Sequence, residues 1–189
     1  MKNALIIHGT CDDSEYFSNA YPSLSNSHWL PWLQKQLLMK GIFTQTPEMP
    51  EANRPDYKKW KKEFERFEVN NETILVGYSC GGGFLTRWLT KNKIKIDKLI
   101  LVAPWLDPNR KKTTSFFDFI IDPEIQKRVK KIHILFSVDD NVDGVLQSVE
   151  IIKKSLSRVK LHKFQNKSHF TFKDLETEKF PELLEILLS

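Results

Sequence analysis

Thr73-Ile74-Leu75-Val76-Gly77-Tyr78-Ser79-Cys80-Gly81-Gly82-Gly83 sets the pattern Gly-x-Ser-x-Gly directly after an apolar run and directly before a helix-compatible stretch. The run 73–77 is continuous rather than alternating, which predicts a strand buried on both faces. A strand that turns sharply into a helix lifts the Ser79 hydroxyl above the strand end and asks for a strained backbone at the serine. Side chains two residues before and after it would strike the neighbouring strand and helix, and Gly77 and Gly81 remove them. Gly82 and Gly83 would let the helix lie close to the sheet. The Cys80 N–H, at the helix start, becomes a donor for an oxygen gaining negative charge. The pattern is weak by itself; the strand–turn–helix context gives it weight as a nucleophile's turn. A phosphate-binding loop would continue Gly-Lys-Ser/Thr, and this stretch does not.

Outward from that turn the chain alternates strand and helix. Strands are predicted at 4–8, 42–46, 73–77, 98–103, 132–137 and 160–164. Helices are predicted from Ser27 or His28 onward, at 57–67, 82–91, 145–156 and 182–188. The first helix has Pro31 in its first turn, a stripe of Leu30, Leu33, Leu37 and Leu38, and Gly41 as its stop. Trp29 and Trp32 read as core residues. Such alternation favours a mostly parallel sheet with helices on both faces, with ligands at the carboxyl ends of the strands. The 189 residues fit a single domain, 1–189, with no room for a large cap.

A serine nucleophile needs a base within hydrogen-bond reach. Of His8, His28, His133, His162 and His169, only His169 follows the last predicted strand and so lies in a loop at a strand's carboxyl end, downstream of the serine. His133 and His162 fall inside predicted strands and read as packed or surface residues. The acid belongs between serine and base, in Ser137-Val138-Asp139-Asp140-Asn141-Val142-Asp143, where spacing does not separate Asp139 from Asp140. The order Ser79, Asp140, His169 is that expected of α/β-hydrolases. A second oxyanion donor is expected from the loop His8-Gly9-Thr10, at the Thr10 N–H or alternatively the Gly9 N–H.

Composition narrows the class. The chain is 40% hydrophobic and 28% charged, with 29 Lys plus Arg against 24 Asp plus Glu, a net charge of +5. The basic clusters are scattered and interleaved with acids, so they read as solvated helix faces, with neither nucleic acid nor membrane as partner. Two cysteines, Cys11 and Cys80, make no disulfide framework or zinc pattern. No cofactor or metal is expected, and the apolar start is too short for a signal or membrane segment, so a soluble cytoplasmic protein is expected. Both cysteines flank the expected oxyanion donors, so oxidative pairing would shut the site.

Together these residues resemble the small serine hydrolases that include the retinoblastoma-binding serine hydrolase and its bacterial relatives. The resemblance runs through Ile6-Ile7-His8-Gly9, His28-Trp29 with Trp32-Leu33, and Pro47-Glu48-Met49-Pro50. Its specific pieces are Val76-Gly77-Tyr78-Ser79, Ser137-Val138-Asp139-Asp140-Asn141-Val142 and Ser168-His169-Phe170. It implies a compact α/β-hydrolase fold without a lid domain, allows for a protein partner, and implies the second aspartate of the pair, Asp140, as the base's partner. The chain departs from the family at Asn141, where proline is frequent, and at Tyr78, where histidine is frequent; the latter would reshape the pocket.

The chemistry expected is acyl-enzyme hydrolysis of a small ester, amide or thioester, carboxylesterase-like. An acyltransferase or peptidase with the same residues, or a binding module that kept the fold, are the competing classes. Tyr78, Trp105 and Phe116 are the expected substrate-binding residues. The segment 105–122, rich in Phe and Ile, is expected as a helix packed on the core, with a mobile acyl-pocket flap as the alternative. The state of assembly is not legible.

Overall fold

The continuous apolar runs at 4–7, 74–76 and 99–102 lie in strands of a single sheet. The structure is a computed structural model describing residues 2–111 and 115–189. In chain order its elements are β1 (Asn3–Ile7), α1 (Asp13–Tyr16), a 3-10 turn (Leu24–Asn26), α2 (Leu30–Met39), β2 (Phe43–Gln45), α3 (Tyr57–Phe64), β3 (Ile74–Tyr78), α4 (Cys80–Lys91), β4 (Ile96–Val102), α5 (Ile125–Arg128), β5 (Val129–Ser137), α6 (Val145–Ser155), β6 (Val159–Phe164), α7 (Phe172–Leu175) and α8 (Pro181–Leu188). The strand order is β2-β1-β3-β4-β5-β6, and every neighbouring pair is parallel. This is the α/β-hydrolase architecture. Among the described residues no helix is long and apolar enough to cross a membrane.

All of β3 is buried, as its unbroken apolar run requires. The edges are blunted: β2 is three residues long, and β6 carries Lys160 and Lys163. The chain steps one way from β1 to β2 and the other way from β2 onward. Right-handed crossovers therefore set α2 on one face and α3, α4 and α6 on the other. Ring contacts agree. Trp29 and Phe180 lie 5.9 Å apart beside α2 and α8, while Phe64 sits 4.9 Å from Trp88 and 5.5 Å from Phe84 between α3 and α4. The reversal of direction opens a crevice at the carboxyl ends of β1 and β3. The register Ile7↔Gly77 and Tyr78↔Val102 brings the ends of β1, β3 and β4 level there.

Several boundaries differ from the sequence expectation. The helix expected to reach residue 67 ends at Phe64, and a turn from Phe64 O to Phe67 N–H brings Phe67 back against the core. Leu38 does not share the buried stripe of Leu30, Leu33 and Leu37: it is 45% exposed. At 3.6 residues per turn it points about 100° away from Leu37.

The segment between β4 and α5 departs most. Among the described residues it contains no helix, and residues 112–114 lie outside them. Its large apolar residues have no 3.6 period and are broken by Pro104 and Pro108, so side-chain burial proceeds through turns. Trp105, Leu106, Phe116 and Ile121 are buried. Backbone groups find partners elsewhere: Leu106 N–H donates to Ser148 Oγ at 2.9 Å, and Arg87 donates to the carbonyls of Ser115 and Phe116. The core packing expected of the segment holds, without its helix.

Candidate active site

Ser79 is the single residue between β3 and α4, with φ 52° and ψ −121°. That left-handed φ is rare for a residue with a Cβ and is held by its surroundings. Ser79 N–H donates to the Val102 carbonyl at 2.9 Å, and its own carbonyl accepts from Gly82 N–H and Trp105 N–H, each at 3.0 Å. A Cβ on Gly81 would lie 2.3 Å from the Ile7 carbonyl oxygen, and one on Gly77 would lie 2.6 Å from the Gly82 Cα. Those two glycines therefore allow β1, β3 and α4 to meet. Gly83 serves a different contact from the sheet expected of it: its Cβ would fall 2.2 Å from the Trp105 carbonyl, in the loop after β4.

His169 reaches this turn from the loop after β6. Its Nε2 lies 3.0 Å from Ser79 Oγ, and its Nδ1 lies 3.1 and 3.0 Å from the two Asp140 carboxylate oxygens. A carboxylate only accepts, so the proton is on Nδ1 and the Nε2 lone pair faces the serine hydroxyl. The Asp140 side chain is fully buried, and its Oδ1 also accepts from Val142 N–H at 2.9 Å. Asp139, one residue earlier, faces its own loop. It accepts from Ser137 Oγ–H and from the backbone N–H groups of Asn166 and Ser168. The two aspartates that spacing left unresolved thus face different groups, Asp140 the His169 ring and Asp139 the loop carrying it.

The His169 loop is tied from further sides. Tyr78 O–H donates to the His169 carbonyl at 2.8 Å, and His169 N–H donates to Asp174 at 3.2 Å. Asp174 in turn forms a capping box with Thr171 at the start of α7. Left-handed φ values at Asn166, Ser168 and Phe170 show how tightly this loop is wound.

Two clefts meet at Ser79. The larger, of about 580 Å³, runs past Tyr78, His28, Leu24 and Phe172; the smaller, of about 270 Å³, runs past Trp105, Asn109, Lys111 and Asp143. Thr10, Ser79 and His169 line both. Gly9 lies at the mouth of the larger, where a Cβ would stand 3.1 Å from Ser79 Cβ. Cys80 is buried in the first turn of α4, and neither cysteine is in a disulfide. Of the expected substrate-binding residues, Tyr78 walls the larger cleft. Trp105 walls the smaller, its indole N–H fixed on the Asp143 carbonyl at 2.8 Å. Phe116 reaches neither. It is 1% exposed and packs 5.1 Å from the Trp60 ring, so its place is the core; with no helix under it, the segment turns this ring inward.

A family profile described as serine hydrolase matches residues 19–187. The chain belongs to the serine hydrolase family. YdeN of Bacillus subtilis (strain 168) is 26% identical over 178 residues, covering 89% of each chain. The solved structure of the ydeN gene product superposes with a TM-score of 0.83 at 23% identity, covering 100% of this chain and 97% of that one. Est1E from Butyrivibrio proteoclasticus, solved with ferulic acid bound, gives 0.65 at 16% identity, covering 99% and 86%.

In this serine hydrolase the remaining histidines have settled roles. His8 Nδ1–H donates to the Gly9 carbonyl at 2.7 Å and Nε2 accepts from Met49 N–H at 2.7 Å, which fixes the neutral ring against its burial-lowered proton affinity. His28 is the site residue that motif reasoning missed. It lines the larger cleft, accepts from Phe172 N–H at 3.1 Å, and stands edge-on to Tyr78 at 5.8 Å. The one sequence signal for it is its place next to Trp29, whose indole packs on the other side of Tyr78 at 5.5 Å. Burial, followed by the nearby His169, lowers the His28 pKa against the pull of Asp174. Burial, with Asp140 and Asp174 adding to it, pushes Tyr78 well above a normal phenol, so its hydroxyl stays a donor. Burial also raises the Cys11 thiol to about 11, which leaves it a poor nucleophile beside the serine.

Proposed function

We propose that this hydrolase cleaves a small carboxylic ester through an acyl-enzyme on Ser79. The observation that carries the reading is the continuous hydrogen-bonded line from Ser79 Oγ through the His169 ring to a fully buried Asp140 carboxylate, at the meeting point of two clefts. His169 Nε2 takes the Ser79 proton as Oγ attacks the ester carbonyl. Asp140 holds the imidazole in the tautomer that can accept it and stabilises the imidazolium that results. The backbone N–H groups of Cys80 and Thr10, with Gly9 as the alternative to Thr10, receive the oxyanion. Each such donor is worth about 3 kcal/mol in related chemistry. His169 then returns the proton to the departing alcohol. Water attacks the acyl-enzyme by the same route.

The substrate is a small acyl compound, the chain acts as one α/β-hydrolase domain, and free thiols at Cys11 and Cys80 suit a cytoplasmic setting. A fluorophosphonate probe tests the nucleophile. Wild-type protein should be labelled and Ser79→Ala should not, with p-nitrophenyl acetate turnover lost in parallel. Folded wild-type protein that neither labels nor hydrolyses a panel of p-nitrophenyl esters would return the molecule to the binding-module class.

A further inference from the structure

The larger cleft has walls of Tyr78, Leu24 and Phe172, yet one buried face of it is polar. Several of its other polar side chains are already engaged, while the part-buried Thr10 and Glu15 also line it. Tyr78 O–H is on the His169 carbonyl, Ser27 O–H on the Ser23 carbonyl, and Thr171 O–H on Asp174. His8 has both ring nitrogens bonded. Asn26, Lys173 and Glu178 stand exposed at the rim.

His28 differs from the engaged residues. Its Nδ1 accepts the Phe172 N–H, so the neutral ring carries its proton on Nε2. That Nε2 has no hydrogen-bond partner among the described residues and is not sealed off by packing. The ring is held by three independent constraints: the Phe172 bond, the edge-on contact with Tyr78, and a left-handed backbone of φ 58°. A fixed donor in the wall of the cleft that the protein does not satisfy is what a ligand acceptor would satisfy. Burial and the adjacent His169 keep the ring neutral, so it offers a hydrogen bond rather than a charge and does not select for anionic ligands.

We infer that His28 sets the polarity preference of the larger cleft by donating Nε2–H to an uncharged oxygen acceptor on the substrate. The preferred substrates are then esters whose portion in that cleft carries a carbonyl, ether or hydroxyl oxygen, in preference to plain hydrocarbon of equal length. This rests on the esterase reading above for its turnover assay, and a second assay is independent of turnover.

Asparagine is the informative replacement. It tolerates positive φ, and its Oδ1 falls where Nδ1 accepts from Phe172, but it is too short to reach the cleft with a donor. The assay compares kcat/KM on matched pairs, p-nitrophenyl pentanoate against the 4-oxopentanoate ester and butyl acetate against 2-methoxyethyl acetate. Together these probe both the acyl and the alcohol side. Wild type should favour the oxygen-bearing member of at least one pair by about tenfold, and His28→Asn should bring that ratio close to one. No preference in either pair, or a preference that survives in His28→Asn, overturns the inference. In parallel, calorimetry on Ser79→Ala with the amide analogues of both pairs should show the same preference in affinity, lost in the Ser79→Ala/His28→Asn double variant. That arm stands even if the esterase reading fails, and equal affinities there would overturn the inference by themselves.

Discussion

Asp139 and Asp140 are chemically identical neighbours that differ only in where their side chains point. Asp140 is turned to His169 Nδ1, and Asp139 to the backbone of the loop that carries His169. Asp140→Asn should therefore lower kcat by on the order of 10³–10⁴-fold, since the amide would favour the wrong imidazole tautomer, with little change in Tm. Asp139→Asn should do the reverse, lowering Tm while keeping fluorophosphonate labelling at Ser79. Paired melting and labelling experiments read both outcomes, and a swap of the two phenotypes would reassign the acid. Tyr78→Phe belongs at this scale too. It removes the bond to the His169 carbonyl and should cost about 1 kcal/mol in urea unfolding.

At the scale of elements, glycines with different surroundings predict different costs. Gly81→Ala puts a methyl 2.3 Å from the Ile7 carbonyl, so the turn at Ser79 cannot keep its shape; little folded, labelled protein should be recovered. Gly41 has φ +75° but open space around it, so Gly41→Ala should cost only the left-handed backbone, about 1–2 kcal/mol. Phe116→Ala should cost about 3–5 kcal/mol in stability without altering chain-length preference among esters, as a core residue would and a pocket residue would not. The main strands were legible because a sheet covered on both faces writes itself as unbroken apolar runs, and the elbow because its glycines are forced by backbone contacts. The short α1, α5 and α7 were not, since one turn of helix is decided by caps and tertiary partners, as the Thr171–Asp174 box shows. The described residues of 105–122 pack on the core without the expected helix, because apolar composition without a period does not say how the chain will bury it. His28 belongs to the His28-Trp29 piece of the resemblance, which says nothing of its chemistry: its nitrogen acquires meaning only from the cleft that Tyr78 and Phe172 help build around it.

At the scale of the whole molecule, the β5–β6 side of the sheet carries a stacked imidazole pair. His133 and His162 lie with ring planes 10° apart and Nδ1 2.9 Å from Nε2. Burial first, then His162, lowers His133 to about 4, and burial with Lys160 lowers His162. On acidification the unfolded chain takes up these protons near its ordinary value of 6.5, while the fold withholds His133 from protonation until about pH 4 and holds His162 below its ordinary value. Stability should accordingly be flat above about pH 7 and fall steadily as pH drops from 6.5 toward 4. Thermal melts between pH 8 and pH 4.5 read this slope, and His133→Val should make it shallower, the burial-lowered His8, His28 and His162 supplying the rest.

The two clefts share only Thr10, Ser79 and His169 among their described lining residues, and otherwise run along different walls. A cleaved ester would thus part along two separate routes. Once the alcohol fragment departs, its channel stands vacant beside a still-loaded serine, and whatever small hydroxyl compound diffuses in next competes to collect the acyl group. Added methanol should divert a measurable share of product from free acid to methyl ester. How evenly the traffic divides would reveal which mouth admits the incoming molecule.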